Sequence, residues 1–269
     1  MKLAWLTDIH LNFLNQKARM KFYQTIVDVF PDKFLLTGDI AEAPTVVELL
    51  IEMAHSVKKP IYFVLGNHDY YRGKIDIVRK TMFDLKTKEP LLNYLPSIGL
   101  ECLKDGIVLI GQDGWADGRY GDYFNSPLKL NDSRFIGDLI QANVQGKDAL
   151  LRGMQKLAST DAEQLKQNLT DVVKNKKLKR VIILLHVPPF SEVCLYQSQP
   201  TDNDFLPFFA SKITGDVLLE FAKNYSDIDF LVLCGHTHHE ACVSVCDNLT
   251  VKTGAAEYSY PGVQEVIEI

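Results

Sequence analysis

The chain has 269 residues, 46% of them hydrophobic and 23% charged, a composition that suits an ordinary globular protein with a large core. A net charge of −5 gives no general electrostatic reason to expect nucleic acid or an anionic membrane surface as partner. No apolar run reaches the ~18 residues of a spanning helix and the amino terminus enters a strand at once, which predicts a cytoplasmic protein without a leader or membrane partner.

The apolar run Leu3–Thr7 predicts a buried strand that delivers Asp8 and His10 at its carboxyl end. Asn15–Phe30 carries Phe22, Ile26, Val29 and Phe30 at helical spacing and is closed by Pro31. Residues 33–37 read as a strand that delivers Asp39, and Pro44–Ala54 as a helix with Val46, Val47, Leu50, Ile51 and Ala54 inward. Pro60–Val64 is a third buried strand, and Leu65-Gly66-Asn67-His68-Asp69 emerges from it. A helix over Lys74–Lys86 follows, then strands at 100–104 and 107–111 around the turn Lys104-Asp105-Gly106.

The glycine-rich aromatic loop Gly111–Gly121 leads into residues 122–147, which have no clear period. Together they predict a lid-like insert over 111–147. Thr160-Asp161-Ala162-Glu163 has capping-box spacing, so a helix is expected to begin there and to run through Leu165, Leu169, Val172 and Val173. The run Lys174–Lys179 reads as a solvated helix end or a weak anionic contact. Val181–Leu185 predicts a strand that delivers His186, with a loop from Val187 to Ala210 beyond it.

Residues 229–269 read as consecutive strands, Phe230–Cys234 delivering His236 and His238 and Asp247-Asn248 forming a turn. Strand and helix alternation in front and antiparallel strands behind predict an α/β fold of two packed sheets flanked by helices, one domain over 1–269. The five cysteines, Cys102, Cys194, Cys234, Cys242 and Cys246, are too scattered for a disulfide framework, and Cys242 and Cys246 are expected as buried reduced thiols.

Five predicted strand ends thus carry Asp, His or Asn, and ligands of open α/β sheets collect outside the carboxyl ends of strands. Asp8-Ile9-His10 and His236-Thr237-His238 each hold two donors two residues apart, where an extended backbone would point both the same way. With Asp39, Asn67 and His186 they make seven nitrogen or oxygen donors and no thiolate. Such a set suits Mn²⁺, the leading choice, or Fe, Zn²⁺, Co²⁺ or Ni²⁺.

Seven donors match two divalent ions that share a bridging carboxylate, the clamp used for in-line displacement at phosphorus by an activated hydroxide. His68, beside Asn67 but itself spare, can protonate the leaving alkoxide. The bland alternative, Asp8 and Asp39 as caps of strand-to-helix turns, does not account for five coincident strand ends.

The series Asp8-x-His10, Gly38-Asp39, Gly66-Asn67-His68-Asp69, His186, Gly235-His236-x-His238 resembles the calcineurin-like metallophosphoesterase superfamily, in the family's order and over nearly the whole chain. The resemblance implies a four-layer α/β/β/α sandwich of two mixed sheets. It also implies one metal held by Asp8, His10, Asp39 and His238 and a second by Asp39, Asn67, His186 and His236, with His68 on the leaving group or a phosphate oxygen. Glu42-Ala43 in place of an Asp-Arg-Gly motif, and Asp69 in place of Glu, depart from the protein Ser/Thr phosphatases of the superfamily. His186-Val187-Pro188-Pro189 is nearer the His-His-Pro-Pro of its small-molecule phosphodiesterases, with Val187 replacing the second His.

The expected chemistry is therefore hydrolysis of a small-molecule or nucleotide phosphodiester or phosphomonoester. Its alternatives are a DNA- or RNA-processing phosphodiesterase, disfavoured by the acidic charge, and a non-catalytic metal-binding scaffold. Tyr70, Tyr71, Arg72, Trp115, Arg119 and Tyr120 are candidates for a substrate rim, with lid packing as their alternative. Glu42 could orient His68 or face a helix dipole, and Asp69 is expected to support a turn rather than to bind metal. His55 is expected in solvent at a helix end and His239 on the far face of a strand from the metal pair.

Overall fold

The computed structural model describes residues 1–269. The chain begins with β1 (Lys2–Leu6), α1 (Gln16–Val27), β2 (Lys33–Thr37), α2 (Val46–Val57), β3 (Ile61–Val64) and α3 (Ile75–Lys88). Next come β4 (Leu92–Tyr94), the short α4 (Leu95–Ile98), β5 (Glu101–Lys104) and β6 (Ile107–Gly111). Helices α5 (Asp132–Phe135), α6 (Gly137–Val144) and α7 (Lys147–Val172) precede β7 (Arg180–Leu184). The last part holds β8 (Leu195–Tyr196), β9 (Gln199–Pro200), α8 (Leu206–Phe209) and α9 (Lys212–Asn224). It ends with β10 (Asp229–Cys234), β11 (Ala241–Cys246), β12 (Leu249–Thr253) and β13 (Glu265–Glu268).

Two mixed sheets result, in strand orders β13-β1-β2-β3-β4 and β11-β12-β10-β7-β6-β5. Their centres are parallel; the edge strands β13, β11 and β5 pair antiparallel, whereas the edge strand β4 pairs with β3 in parallel. The central strands are apolar on both faces because each face is covered. In β1, Leu3 and Trp5 meet Ile182, Leu184 and Leu233 of the second sheet, while Ala4 and Leu6 turn to the helical side with Phe22, Ile26 and Leu50. On the second sheet Val181, Ile183, Phe230 and Val232 pack against Leu165, Leu169, Leu218 and Phe221 of α7 and α9. The layers are therefore helix, sheet, sheet, helix.

The sequence signals and the elements differ in instructive places. Helix α7 begins at Lys147, and the Thr160 hydroxyl donates to the Lys156 carbonyl as an interior helical residue rather than a cap. Leu150, Met154 and Ala158 extend the buried stripe through the capping-box tetrad, and tertiary packing of that stripe outweighs a local cap signal. The stretch 122–147 contains α5 and α6, and α9 and β4 carried no sequence expectation. Among the last strands β10 pairs with β12 in parallel, so that region is not wholly antiparallel. Cys242 is exposed and Cys246 half-buried, contrary to the expected burial, because β11 is an edge strand with one open face; all five cysteines are free.

Candidate metal centre and its cavity

Strands β1, β2 and β3 lie side by side in one sheet, and β7 and β10 are neighbours in the other. Their carboxyl ends converge between the sheets. The residues at these ends do not continue as extended chain: Asp8, His10, Asp39, His236 and His238 have φ of 48°, 38°, 51°, 73° and 61°. The expected extended-backbone geometry of Asp8-Ile9-His10 and His236-Thr237-His238 is thus replaced by left-handed turns, a conformation that costs free energy at non-glycine residues and clusters at functional sites. The turns fit because glycines clear the way. An added Cβ on Gly66 would overlap the Asp39 carboxylate, and one on Gly235 would overlap the Thr7 hydroxyl and the Asp8 carboxylate.

All seven predicted donors come together. One ligand atom from each of Asp8, His10, Asp39 and His238 lies within 4.8 Å of the others. Beside them, Asn67 Oδ1 stands 3.0 Å from both His186 Nε2 and His236 Nδ1, and His186 Nε2 stands 3.3 Å from Asp39 Oδ1. Asp39 belongs to both groups.

The chemistry of these donors tests whether a cation fits. His186 Nδ1–H donates to the Thr37 carbonyl and His236 Nε2–H to the Phe208 carbonyl, which leaves lone pairs on His186 Nε2 and His236 Nδ1. Both lone pairs face Asn67 Oδ1, whose own Nδ2 donates to Asp132 and Tyr71. Three acceptors facing one another at hydrogen-bond distance are stable only around a positive centre. His10 adds a second sign: both its ring nitrogens are buried and neither has a hydrogen-bond partner. An orphaned buried imidazole costs about 1–3 kcal/mol unless something binds it. The residues fit divalent cations in both groups.

Titration follows the same logic. Burial raises the Asp8 carboxyl, but the hydrogen bond from His238 and the charges of His186, His238 and His10 outweigh it and hold Asp8 below the usual carboxylate range. Burial lowers His10 to about 4, against the pull of Asp39 and Asp8. For Asp69, burial and then the Asp39 charge push the carboxyl well above its usual range, against three backbone N–H donors from Ile40, Ala41 and Gly66. Asp69 therefore ties the turn after β2 to the turn after β3, as expected of a supporting residue.

His68 projects into the cavity beside the donors. Its backbone N–H donates to Asp39 Oδ1, its Nε2 lies 3.9 Å from Asp39 Oδ2, and its ring stacks on Tyr71 at 4.2 Å. The Glu42 carboxylate pairs with Arg72 at 3.0 Å. The cavity over the donors has a volume of about 670 Å³ and is walled by Tyr71, residues 130–132, the β8–β9 hairpin, Phe205, Phe209 and Tyr258.

Of the rim candidates only Tyr71 lines it. Tyr70 is fully buried and donates to Asp113, and Trp115 packs on Tyr70 within the core. Arg72 lies over a separate groove with Pro44 and Ile77, and Arg119 is held by Asp117 at 2.8 Å. Tyr120 also lies outside the cavity wall. Sequence adjacency to the motifs did not translate into adjacency in space, because the chain turns inward at Tyr70 and again at Trp115.

His239 is half-buried at the cavity wall, packed edge-on against Tyr196 at 4.9 Å, since the turn after β10 ends the strand alternation on which its expected position rested. His55 is exposed, as expected, and meets Glu89 at 2.7 Å. Two residues had no sequence signal. Asp132, in the aperiodic stretch, accepts from Asn67 Nδ2 and the Tyr71 hydroxyl at 2.8 and 2.7 Å. Tyr258, in the turn after β12, lies over His10 at 4.6 Å.

The family pattern for calcineurin-like phosphoesterases matches residues 1–240. Among solved structures, a phosphopantetheinyl hydrolase from Mycobacterium tuberculosis superposes with a TM-score of 0.68 at 12% identity, over 96% of this chain and 90% of that one. A dimetal phosphatase from Danio rerio superposes with a TM-score of 0.60 at 13% identity, over 97% and 89%. No curated protein matches the sequence. At such identities the two structures show a shared fold alone, and membership rests on the family match. On that match the chain belongs to the calcineurin-like phosphoesterase family and is a metal-dependent hydrolase of phosphoric esters.

Proposed function

We propose that the chain hydrolyses a small-molecule or nucleotide phosphodiester or phosphomonoester at a binuclear centre. Asp8, His10, Asp39 and His238 would hold one ion, and Asp39, Asn67, His186 and His236 the other. The observation that carries this reading is the buried convergence of acceptors around Asn67 Oδ1 together with the orphaned His10 ring. Bound there, Mn²⁺ or a similar ion would supply Lewis acidity toward phosphoryl oxygens and a water acidified toward neutral pH.

The chain's own residues supply orientation and a proton. His186 and His236 are fixed in the ligating tautomer by the carbonyls of Thr37 and Phe208. His68, stacked on Tyr71 at the cavity wall, is the group placed to protonate the leaving alkoxide. The aromatic walls offer apolar faces to the organic part of the ester. No lysine or arginine lines the cavity, which counts against a DNA- or RNA-processing role. The retained His68 counts against a non-catalytic scaffold. A cytoplasmic location belongs to the same proposal, supported by five free cysteines, and no helix is long and apolar enough to cross a membrane.

The test is hydrolysis of an aryl phosphomonoester and its matching diester by metal-stripped protein reloaded with Mn²⁺, beside Asp39→Ala, with bound metal counted in each. Metal-dependent turnover that vanishes in Asp39→Ala along with bound metal is expected, and His68→Ala should lower kcat mostly for poor leaving groups. Full activity in Asp39→Ala would remove the mechanism.

A further inference from the structure

The same cavity specifies what lies beyond the scissile phosphate. The wall beyond the metal donors mixes apolar and polar surface. Tyr196, Phe205 and Phe209 offer apolar faces, Asn131 and Gln199 offer amide groups, and Asp132 and Asp202 offer carboxylates. No lysine or arginine lines the wall, so no permanently cationic side chain there would neutralise a second anionic group.

We infer that the substrate has one phosphoryl centre, and that its alcohol is an uncharged, hydrogen-bonding body with an apolar or aromatic face. The inference rests on the phosphoesterase reading. A nucleoside and an amide-bearing alcohol share this chemistry. Esters bearing a second phosphate or a carboxylate on that alcohol are disfavoured, since Asp132 and Asp202 would face the added charge at short range.

The test uses Mn²⁺-loaded protein and four p-nitrophenyl phosphodiesters, the second alcohol being methanol, thymidine, thymidine carrying a 3′-phosphate, or pantothenol. We expect kcat/KM to rise about tenfold or more from the methyl ester to the thymidine ester, the pantothenol ester or both, as new hydrogen bonds and apolar contact are made. A gain confined to thymidine identifies base stacking as the source, and a gain confined to pantothenol identifies the amide arm. The 3′-phosphate should abolish any thymidine gain.

Phe205→Ala should cut the ratio of the favoured ester to the methyl ester about fivefold, and the ratio cancels any general loss of folded or metal-loaded protein. Equal rates on all four esters, or undiminished turnover of the 3′-phosphorylated one, would overturn the inference. If neither these diesters nor p-nitrophenyl phosphate is hydrolysed, the phosphoesterase reading fails instead. Thermal shift with thymidine and pantothenol then decides the cavity: a raised Tm in the native protein that is absent in Phe205→Ala sustains the inference, and no shift overturns it.

Discussion

Thr7 donates from its hydroxyl to Asp8 Oδ2 at 2.6 Å, and Gly235 passes close enough to both that a methyl group there would overlap them. Gly235→Ala should therefore destabilise the protein by about 1–3 kcal/mol through overpacking and also weaken metal binding, because Asp8 has to move. Denaturant unfolding and metal titration of one preparation read both effects. Asp132 acts at one remove from the donors. By accepting one Asn67 Nδ2 proton, and by holding the Tyr71 hydroxyl that accepts the other, it aims Oδ1 at the two histidines and fixes the tyrosine under His68. Asp132→Ala should lower metal affinity about tenfold, read by calorimetric titration with Mn²⁺; unchanged affinity would assign it to the loop alone. The donors were legible at this scale because each follows an apolar run directly. Asp132 was not, since a lone Asp in an aperiodic stretch has no pattern to stand out from.

At the scale of elements, buried polar clusters fasten helices to the strand ends. Arg79 of α3 meets Asp113 after β6 at 2.9 Å and Asp161 of α7 at 2.7 Å, and Asp113 accepts from Leu65 N–H just before Asn67. Arg79→Ala would leave two buried carboxylates unpaired and should cost about 3–5 kcal/mol in urea unfolding, a loss that paired replacement of both acids by neutral residues should lessen.

Glu52 of α2 accepts from Arg19 Nε and Nη2 and the Tyr23 hydroxyl of α1, and the Arg19 hydrogen bond lowers its carboxyl below the ordinary value. The stability it contributes is present above the unfolded-state value near 4.5 and is lost as pH falls through the lower folded-state value. Glu52→Gln should therefore cost about 1 kcal/mol at neutral pH and flatten the acid limb of the stability curve. Helix α7 marks the limit of element reading: its capping-box tetrad sits in mid-helix, since an apolar stripe longer than the local signal set the boundary.

For the whole molecule, the donors divide between the sheets: Asp8, His10, Asp39 and Asn67 on one, His186, His236 and His238 on the other. A metal that binds only when both are docked stabilises the sandwich as a unit. At about a thousandfold excess of free metal over Kd the gain is roughly 4 kcal/mol. Chelation should lower Tm by several degrees, and Mn²⁺ should restore it in the native protein but not in Asp39→Ala. The sequence by itself determined the alternation of strands and helices and the placement of seven donors at strand ends, because both are local: burial on two faces makes an apolar run, and a run must end somewhere. It could not decide which loops wall the cavity. Tyr70, Arg72, Trp115 and Arg119 follow the motifs in the chain yet point elsewhere, while Phe205, Asp132 and Tyr258, far away in sequence, line the cavity over the donors. Only the docking of two sheets decides that, since loop direction depends on packing among distant segments rather than on any period in the chain.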